Sequence, residues 1–302
     1  MSASQQTDST IEESQAVAYR SVWTFIHRTP HQLGFVTVGG YRTRYLEAGE
    51  RDRPAVILLH GVAGSLENFT ANIAAYAEHF HVVAIDMLGC GWTDKPDRQL
   101  TAYDWSAHVR AVMDELGIER ASLVGVSLGS WISARVAQDA PDRVDRIVMI
   151  SPAGIILDLQ EFRDRLALTR SSRAKASTDV TWAGIRTVFE QLILDDANVI
   201  DDVVAVRFGV YSDPAMQRAM QFVIPDTEEG ILTDDDWRAF PHPVLVIAAT
   251  DVSNIYLRNA YRIGELAPKA EVLEMTGCDH WAQFERADEF NAKSIEFLGG
   301  GS

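Results

Sequence analysis

The chain is poor in cysteine and in basic residues. Two cysteines, Cys90 and Cys278, occur among 302 residues. So few thiols provide no disulfide framework and indicate a reducing compartment, so we expect a cytoplasmic protein. Lys and Arg number 27 against 43 Asp and Glu, and the formal net charge is -16. Nucleic acids and anionic membrane surfaces are bound through basic patches, so the charge argues against both as partners.

Long apolar runs and the common metal and nucleotide motifs are also missing. No stretch approaches the ~18 apolar residues of a membrane span. The first ~15 residues are polar and lack the apolar core of a signal peptide. The sequence contains no H-E-x-x-H, no calcium-loop spacing, no G-x-G-x-x-G and no G-x-x-x-x-G-K-[ST]. We therefore predict neither a metal nor a nucleotide cofactor.

The remaining composition is that of a globular protein with alternating strand and helix patterns. Hydrophobic residues make up 47% and charged residues 23%, which allows a sizeable core. Continuous apolar runs, typical of strands buried on both faces, alternate with segments of helical spacing. This order predicts an α/β fold with a mostly parallel, doubly wound sheet. The predicted strands are 35–38, 41–46, 55–59, 81–85, 121–124, 144–150, 244–249 and 270–275.

The strand pattern is interrupted once, in the middle of the chain. Residues 153–241 show helical spacing and charge but no clear strand, which predicts a helical cap inserted into the sheet domain. The predicted core then comprises residues 31–152 and 242–298. Residues 1–30 are interpreted as a flexible tail and lead-in, and residues 299–302 as a second tail.

Residues 125–129 form the motif on which the functional interpretation depends. They read G-x-S-x-G between a predicted strand and a predicted helix, which is the setting of a nucleophile elbow. In such a turn the two glycines let strand and helix approach closely. The hydroxyl of Ser127 then projects above the sheet as a candidate nucleophile, and the N–H of Leu128 points to the site. The alternative is a glycine-rich turn with an inert serine.

Two polar residues complete a candidate catalytic triad with Ser127. Asp251 and His280 each follow a predicted strand, and the carboxyl ends of parallel strands meet at one edge of a sheet. A serine hydroxyl needs a base, which we assign to His280. Asp251 is expected to accept the Nδ1–H of this histidine. Asp279 is a weaker rival for that role, because the neighbour of His280 is expected to point away.

An oxyanion formed during attack on a carbonyl needs two hydrogen-bond donors. We assign them to the backbone N–H groups of Leu128 and of Val62, which lies in the loop after the strand 55–59. His60 in the same loop is expected to brace it by hydrogen bonds. Cys90 and Cys278 lack an elbow and are expected to be packed thiols.

These residues resemble the α/β-hydrolase superfamily over nearly the whole chain, from about Phe35 to Leu298. Within it, the sequence is most similar to the meta-cleavage-product hydrolases, which cut a carbon–carbon bond in ring-fission products of aromatic degradation. Residues 280–291 are similar to the histidine loop and final helix of that family. Residues 201–208 are similar to an insertion helix whose arginine contacts the substrate.

The resemblance implies further roles for two residues. Arg207 would contact the carboxylate or dienol of the substrate, with a salt bridge as the alternative interpretation, and Trp281 would form a wall of the pocket. It also implies a small apolar or aromatic-derived substrate, no cofactor, and a chain able to form a homodimer.

The sequence departs from the family pattern near the nucleophile. Val126 stands where the family usually has Asn, and residues 61–65 lack the usual glycine- and proline-rich oxyanion loop. The missing amide removes a polar contact to the dienol, so ester or lactone hydrolysis remains an alternative to carbon–carbon cleavage. A non-catalytic binding protein is the rival from another class. Ser127 excludes the relatives that need an Asp nucleophile, haloalkane dehalogenases and epoxide hydrolases.

Apolar residues in the predicted cap are numerous enough to form a pocket for a bulky acyl group. The alternative is that they pack the core of the cap itself. The candidates are Ile155, Leu157, Trp182, Val188, Phe189 and Leu192.

Overall fold

The computed structural model describes residues 21–300, which form one eight-stranded sheet flanked by helices. The strand order is β1-β2-β4-β3-β5-β6-β7-β8. The strands are β1 His31–Val38, β2 Tyr41–Ala48, β3 Ala55–Leu59, β4 His81–Ile85, β5 Ala121–Val126, β6 Val144–Ile150, β7 Val244–Ala249 and β8 Ala270–Met275.

Helices connect successive strands from β3 onwards. The helices are α1 Val22–Ile26, α2 Thr70–Ala77, α3 Ala102–Glu115, α4 Leu128–Asp139, α5 Leu159–Thr178, α6 Trp182–Glu190, α7 Asp201–Ser212, α8 Pro214–Ala219, α9 Asp234–Arg238, α10 Ile255–Leu266, α11 Ala282–Glu285 and α12 Ala287–Leu298. Among residues 21–300, no helix is both long and apolar enough to span a bilayer.

The sheet is parallel except at one edge. Strands β3 to β8 pair in parallel, whereas β1 pairs with β2, and β2 with β4, in antiparallel fashion. Gly39 and Gly40 connect β1 to β2 with φ values of 57° and 83°, which a two-residue hairpin turn requires. All residues of β4 and β5 are buried, because helices cover both faces of the sheet. The predicted α/β class with a mostly parallel sheet is confirmed.

The long connection between β6 and β7 contains α5 to α9 and, within the described residues, no strand. This agrees with the helical character predicted for residues 153–241, while their status as a separate domain stays a prediction. Most of the predicted N-terminal tail, residues 1–20, lies outside the described residues, as do residues 301–302. The lead-in is more ordered than expected, since α1 lies at residues 22–26 and buries Ile26 against α2.

Two glycines allow β3, β5 and α4 to meet beneath the carboxyl edge of the sheet. A Cβ added to Gly129 would lie 2.0 Å from the carbonyl oxygen of Leu59. A Cβ added to Gly125 would lie 2.2 Å from the carbonyl carbon of Gly129. Both neighbours are backbone atoms that cannot rotate away, so no larger residue fits at either position.

We therefore predict that Gly129→Ala lowers the free energy of unfolding by about 3 kcal/mol or prevents folding, because the methyl group displaces β3. Gly209→Ala is the matched control. Gly209 lies inside α7, and an added Cβ would meet only the Trp92 side chain, at 3.9 Å. The control should be neutral or stabilise the protein by up to about 1 kcal/mol. Urea unfolding followed by circular dichroism measures both, and equal effects would contradict the packing argument.

Candidate active site

Ser127 occupies a strained turn between β5 and α4. Its φ is 57° and its ψ is -114°, a conformation that residues with a Cβ rarely adopt. Its backbone N–H donates to the carbonyl of Ile150, and this bond holds the turn against β6. Its carbonyl accepts from the backbone N–H of Ser130. The side chain lines a cavity above the sheet. This local geometry is that of the nucleophile elbow expected from the sequence.

The cavity at Ser127 has two lobes, which we call the apolar lobe and the polar lobe. Both lobes share the walls Val62, Ser127, Arg165, Thr169 and Tyr256. The apolar lobe, of about 70 Å³, adds Trp131, Ile155, Phe162, Leu166, Ile224 and Ile255 among others. The polar lobe, of about 440 Å³, adds Ser172, Arg173, Gln191, Asn254, Asp279 and His280 among others.

Val62 and Leu128 both lie on the cavity wall, as donors to an oxyanion at Ser127 must. Leu128 is the first residue of α4, where a backbone N–H has no acceptor within the helix. Ala63 follows Val62 with a φ of 51°, which marks a sharp turn in this loop. The roles of the two N–H groups stay predictions that this placement permits.

His60 braces the loop that contains Val62. The backbone N–H of Met87 donates to its Nε2 at 2.9 Å, so Nε2 is unprotonated and Nδ1–H donates to the carbonyl of Gly61 at 2.6 Å. Burial lowers the pKa of His60 to about 4, which keeps this neutral tautomer. The expected bracing role is thus seen directly.

His280 lines the polar lobe together with Ser127 and is 7% exposed. The edge of its ring packs against Tyr256, with the centroids 4.4 Å apart and the planes at 63°. Burial, followed by the positive charges of Arg173 and Arg165, lowers the pKa of His280 to about 3. The imidazole is therefore neutral at physiological pH, as a general base must be before it accepts a proton.

The structure does not bring Asp251 to His280. The Asp251 side chain is exposed, and its Oδ2 accepts the backbone N–H of Gly277 at 2.6 Å. Among the described residues no hydrogen bond joins it to the imidazole, and the residues of this loop that line the polar lobe are Val252 and Asn254. Since Gly277 belongs to the loop that positions His280, Asp251 contacts that loop instead of the ring.

Asp279 lines the polar lobe, contrary to the expectation that it points away. Its carboxylate accepts from Asn254 Nδ2 at 3.2 Å, and its backbone N–H donates to Glu285. Burial raises the pKa of Asp279 above the usual range. The expectation failed because the turn after β8 directs two consecutive side chains towards the same lobe.

Arg207 and Trp281 are buried next to the site but outside the walls of both lobes. The guanidinium carbon of Arg207 lies 5.2 Å from the ring centroid of Phe189 and 5.5 Å from that of Tyr211. Its Nη2 donates to Asn68 at 3.5 Å. Trp281 packs edge-on against Phe189. Their predicted contacts with substrate stay predictions, and within residues 21–300 the alternative salt bridge to Arg207 is not present.

Sequence reasoning missed three residues at the cavity: Arg165, Arg173 and Tyr256. The Tyr256 hydroxyl lies beside Ser127, and burial raises its pKa. The two arginines belong to α5. Their spacing of two helical turns was the available signal, but three other basic residues on the same helix, Arg163, Arg170 and Lys175, hide it.

The six apolar residues that were predicted to line the acyl pocket lie in different environments. Ile155 lines the apolar lobe and Leu192 the polar lobe. Val188 and Phe189 are buried but line neither lobe, and Phe189 packs edge-on against Trp281, which lies outside the insertion. The prediction was wrong for Leu157 and Trp182, which are 40% and 44% exposed because they lie on solvent-facing turns of the insertion.

The two cysteines are packed thiols, as expected. Both are buried, and burial raises the pKa of each to about 12, so neither is a reactive thiolate. Within the described part of the chain, no three His, Cys, Asp or Glu side chains are grouped as metal ligands.

Comparisons with known proteins agree with this geometry. A family model described as alpha/beta hydrolase fold matches residues 54–287. The chain is similar to 2-hydroxy-6-oxo-6-(2'-aminophenyl)hexa-2,4-dienoic acid hydrolase of Metapseudomonas resinovorans, with 27% identity over 95% of this chain and 96% of that protein. It is also 27% identical to a carboxylesterase of Bacillus subtilis (strain 168), over 86% of this chain and 85% of that protein.

One solved structure is similar to this chain over most of the length of both proteins. The meta-cleavage product hydrolase from Pseudomonas fluorescens IP01 superposes with a TM-score of 0.77 at 26% identity, covering 89% of this chain and 98% of the other. Most of this chain therefore shares the fold of a hydrolase that is named for meta-cleavage products.

The depressed pKa of His280 can be tested without a substrate. We predict that its ring stays neutral down to pH 5, because burial and two nearby arginines disfavour the imidazolium. NMR titration of the Cε1–H resonance, assigned with a His280→Gln variant, measures this. Arg173→Gln should raise the pKa, whereas Arg163→Gln, which removes an exposed arginine of the same helix, should not. An unchanged pKa in the Arg173 variant would contradict the assigned cause.

Proposed function

The chain belongs to the α/β-hydrolase family, and we propose that this hydrolase uses Ser127 as nucleophile and His280 as general base. The observation that supports this assignment best is the shared cavity, in which a strained serine and a neutral histidine meet at the carboxyl edge of the sheet. Catalytic hydrogen bonds are often long before substrate binds, so the lack of a direct bond between the two side chains is compatible with this role.

The proposed reaction is acyl transfer to the serine followed by hydrolysis. The Ser127 oxygen attacks a carbonyl carbon while its proton passes to His280. The N–H groups of Leu128 and Val62 bind the resulting oxyanion. Collapse of this intermediate breaks the bond to the leaving fragment, which takes the proton from His280. A water molecule then gives a proton to His280 and attacks the acyl carbon, and collapse of the second intermediate releases the acid and returns the proton to the Ser127 oxygen.

We propose a meta-cleavage product, a vinylogous 1,5-diketone, as the substrate type. Two observations support it. Relatives with this named activity cover nearly the whole chain, and the cavity at Ser127 has an apolar lobe and a polar lobe. A substrate with an apolar acyl end and a charged dienol end matches these lobes. The dienol must first tautomerise to the ketone, because only then is the bond to be cut next to a carbonyl that can take up electrons.

Ester hydrolysis is the second candidate, supported by a specific residue. Val126 is fully buried where meta-cleavage-product hydrolases usually have Asn, so this position gives no polar contact to a dienol. The similarity to a carboxylesterase of Bacillus subtilis is compatible with this alternative. A lactone is an internal ester and would follow the same steps.

We propose a supporting role for Asp251 in place of direct contact with the ring. By accepting the N–H of Gly277, it holds the loop in which His280 lies. Arg207, through Asn68, and Trp281, through Phe189, are proposed to stiffen the wall between the insertion and the sheet. A homodimer stays a proposal from the resemblance.

The two candidate reactions can be separated by assaying a dienol semialdehyde and a p-nitrophenyl ester side by side. We expect faster turnover of the dienol. Ser127→Ala and His280→Ala should each lose on the order of 10³-fold or more in turnover, because each removes a group that acts in bond making. A fluorophosphonate should label the wild type and not Ser127→Ala. A folded wild-type protein that is neither labelled nor active would contradict the proposal.

The role of Asp251 predicts different results for two substitutions. Asp251→Asn keeps an oxygen that can accept from Gly277, so we expect activity within about threefold of the wild type. Asp251→Ala removes the acceptor and should cost about tenfold, the size of one neutral hydrogen bond. A loss near 10⁴-fold in Asp251→Asn is typical of a carboxylate that orients the imidazole itself and would contradict the loop role. Steady-state kcat for both variants decides between these outcomes.

A further inference from the structure

Two arginines of α5 line the polar lobe without an anionic partner. Arg165 and Arg173 are eight residues apart, a little over two helical turns, and both reach the cavity. Within residues 21–300, no hydrogen bond or ion pair reaches either guanidinium. Arg173 is 7% exposed, and its buried Nε has no hydrogen-bond acceptor. Arg165 has only the ring of Tyr256 below it, at 5.8 Å.

A buried guanidinium without an acceptor needs an explanation. It stays protonated at any physiological pH and is destabilising unless something compensates its charge. Carboxylates are abundant in this chain, and they do pair with neighbouring arginines. Arg163 on the same helix pairs with Glu228, and Arg258 pairs with Glu161 at its first turn. Arg165 and Arg173 face the cavity without a carboxylate partner, although other arginines on this helix and next to it have one.

Among the described residues, Asp279 is the only one with a carboxylate on the wall of the polar lobe, and it does not pair with either arginine. Asp279 accepts from Asn254, and neither arginine is among the groups that shift its pKa. With His280 neutral, the lobe has two positive charges against one negative charge. In a protein of net charge -16, this cavity is thus a local exception that attracts anions.

We propose that Arg165 and Arg173 form a subsite for a carboxylate on the leaving fragment of the substrate, an inference that rests on the proposed function. The polar lobe takes the leaving fragment because His280, which must give that fragment its proton, lies on the same lobe. The apolar lobe then takes the acyl group. Planar guanidinium groups bind carboxylates through paired hydrogen bonds, which gives orientation as well as affinity. Arg207 is not part of this subsite, since it packs against Phe189 outside the lobe.

The subsite also connects substrate charge to the chemistry at His280. Four groups besides Ser127 face this ring: Arg165 and Arg173 from α5, Tyr256 from α10, and Asp279 from its own loop. The two arginines oppose the imidazolium that forms when Ser127 attacks. A carboxylate bound between them offsets their charge, so an anionic substrate makes His280 a stronger base. The carboxylate should therefore raise kcat as well as lower KM.

The test compares two esters that differ in charge but hardly in shape, 3-carboxyphenyl butanoate and 3-carbamoylphenyl butanoate. We expect the wild type to prefer the carboxylate by at least tenfold in kcat/KM. Arg165→Gln and Arg173→Gln should each reduce this preference several-fold, and the double variant should abolish it. Arg173→Lys should restore part of it. For the carboxylate ester, the acid limb of the pH profile of kcat should lie at higher pH than that of kcat/KM. The reason is that kcat reports the pKa of His280 in the enzyme–substrate complex, whereas kcat/KM reports it in the free enzyme.

One control separates the subsite from general effects. Arg163→Gln removes an exposed arginine of the same helix and should keep the wild-type preference. A wild-type preference near one, or an unchanged preference in the double variant, would overturn the subsite. Circular dichroism and thermal unfolding check each variant, and the half-buried Arg165 provides the readout if Arg173→Gln does not fold.

A binding measurement distinguishes failure of the subsite from failure of the proposed reaction. Calorimetry with Ser127→Ala compares 3-hydroxybenzoate with 3-hydroxybenzamide, the two leaving fragments. If neither ester is hydrolysed but the carboxylate binds at least tenfold more tightly, the reaction is wrong and the subsite stands. If the esters are hydrolysed and the two fragments bind equally, the reaction stands and the subsite is wrong.

Discussion

The close approach of β3, β5 and α4 is the constraint on which the site depends. Gly129 leaves no space for a Cβ above the carbonyl of Leu59, and Gly125 leaves none beside Gly129. Because strand and helix are this close, the turn between them adopts a φ of 57° at Ser127. Packing of the surrounding sheet and helix compensates for the energetic cost of that strained conformation. The turn places the Ser127 hydroxyl above the sheet edge, and the N–H of Leu128 at the start of α4 has no acceptor within the helix.

The charged side chains near this turn include arginines, whereas the protein as a whole is acidic. The surface is strongly acidic, yet the groups that reach the cavity include Arg165 and Arg173 without carboxylate partners. Burial and these two charges together keep His280 neutral. In water the same arginines would have little effect, because solvent screens charges at the surface. The insertion therefore contributes electrostatics to the site as well as a cover.

Agreement between sequence and structure is best where the signal is local. The alternation of apolar runs predicted the sheet, including the two strands that Gly39 and Gly40 connect. The elbow followed from five consecutive residues. The insertion was recognisable as helical, but its orientation was not, so Leu157 and Trp182 were wrongly assigned to the pocket. Helical periodicity indicates which residues share a face and does not indicate what that face contacts.

Local patterns of residues were thus sufficient for the fold class and for placing Ser127 and His280 at one cavity, because strand ends and glycine spacing depend on neighbours in the chain. Tertiary packing alone decided which side chains reach the imidazole. The loop after β7 directs Val252 towards the polar lobe, whereas the neighbouring Asp251 accepts a hydrogen bond from Gly277. The sequence pattern does not indicate which of these two adjacent residues points into the cavity. Arg173 reaches the same ring from a distant helix, because burial and charge act through space and not along the chain.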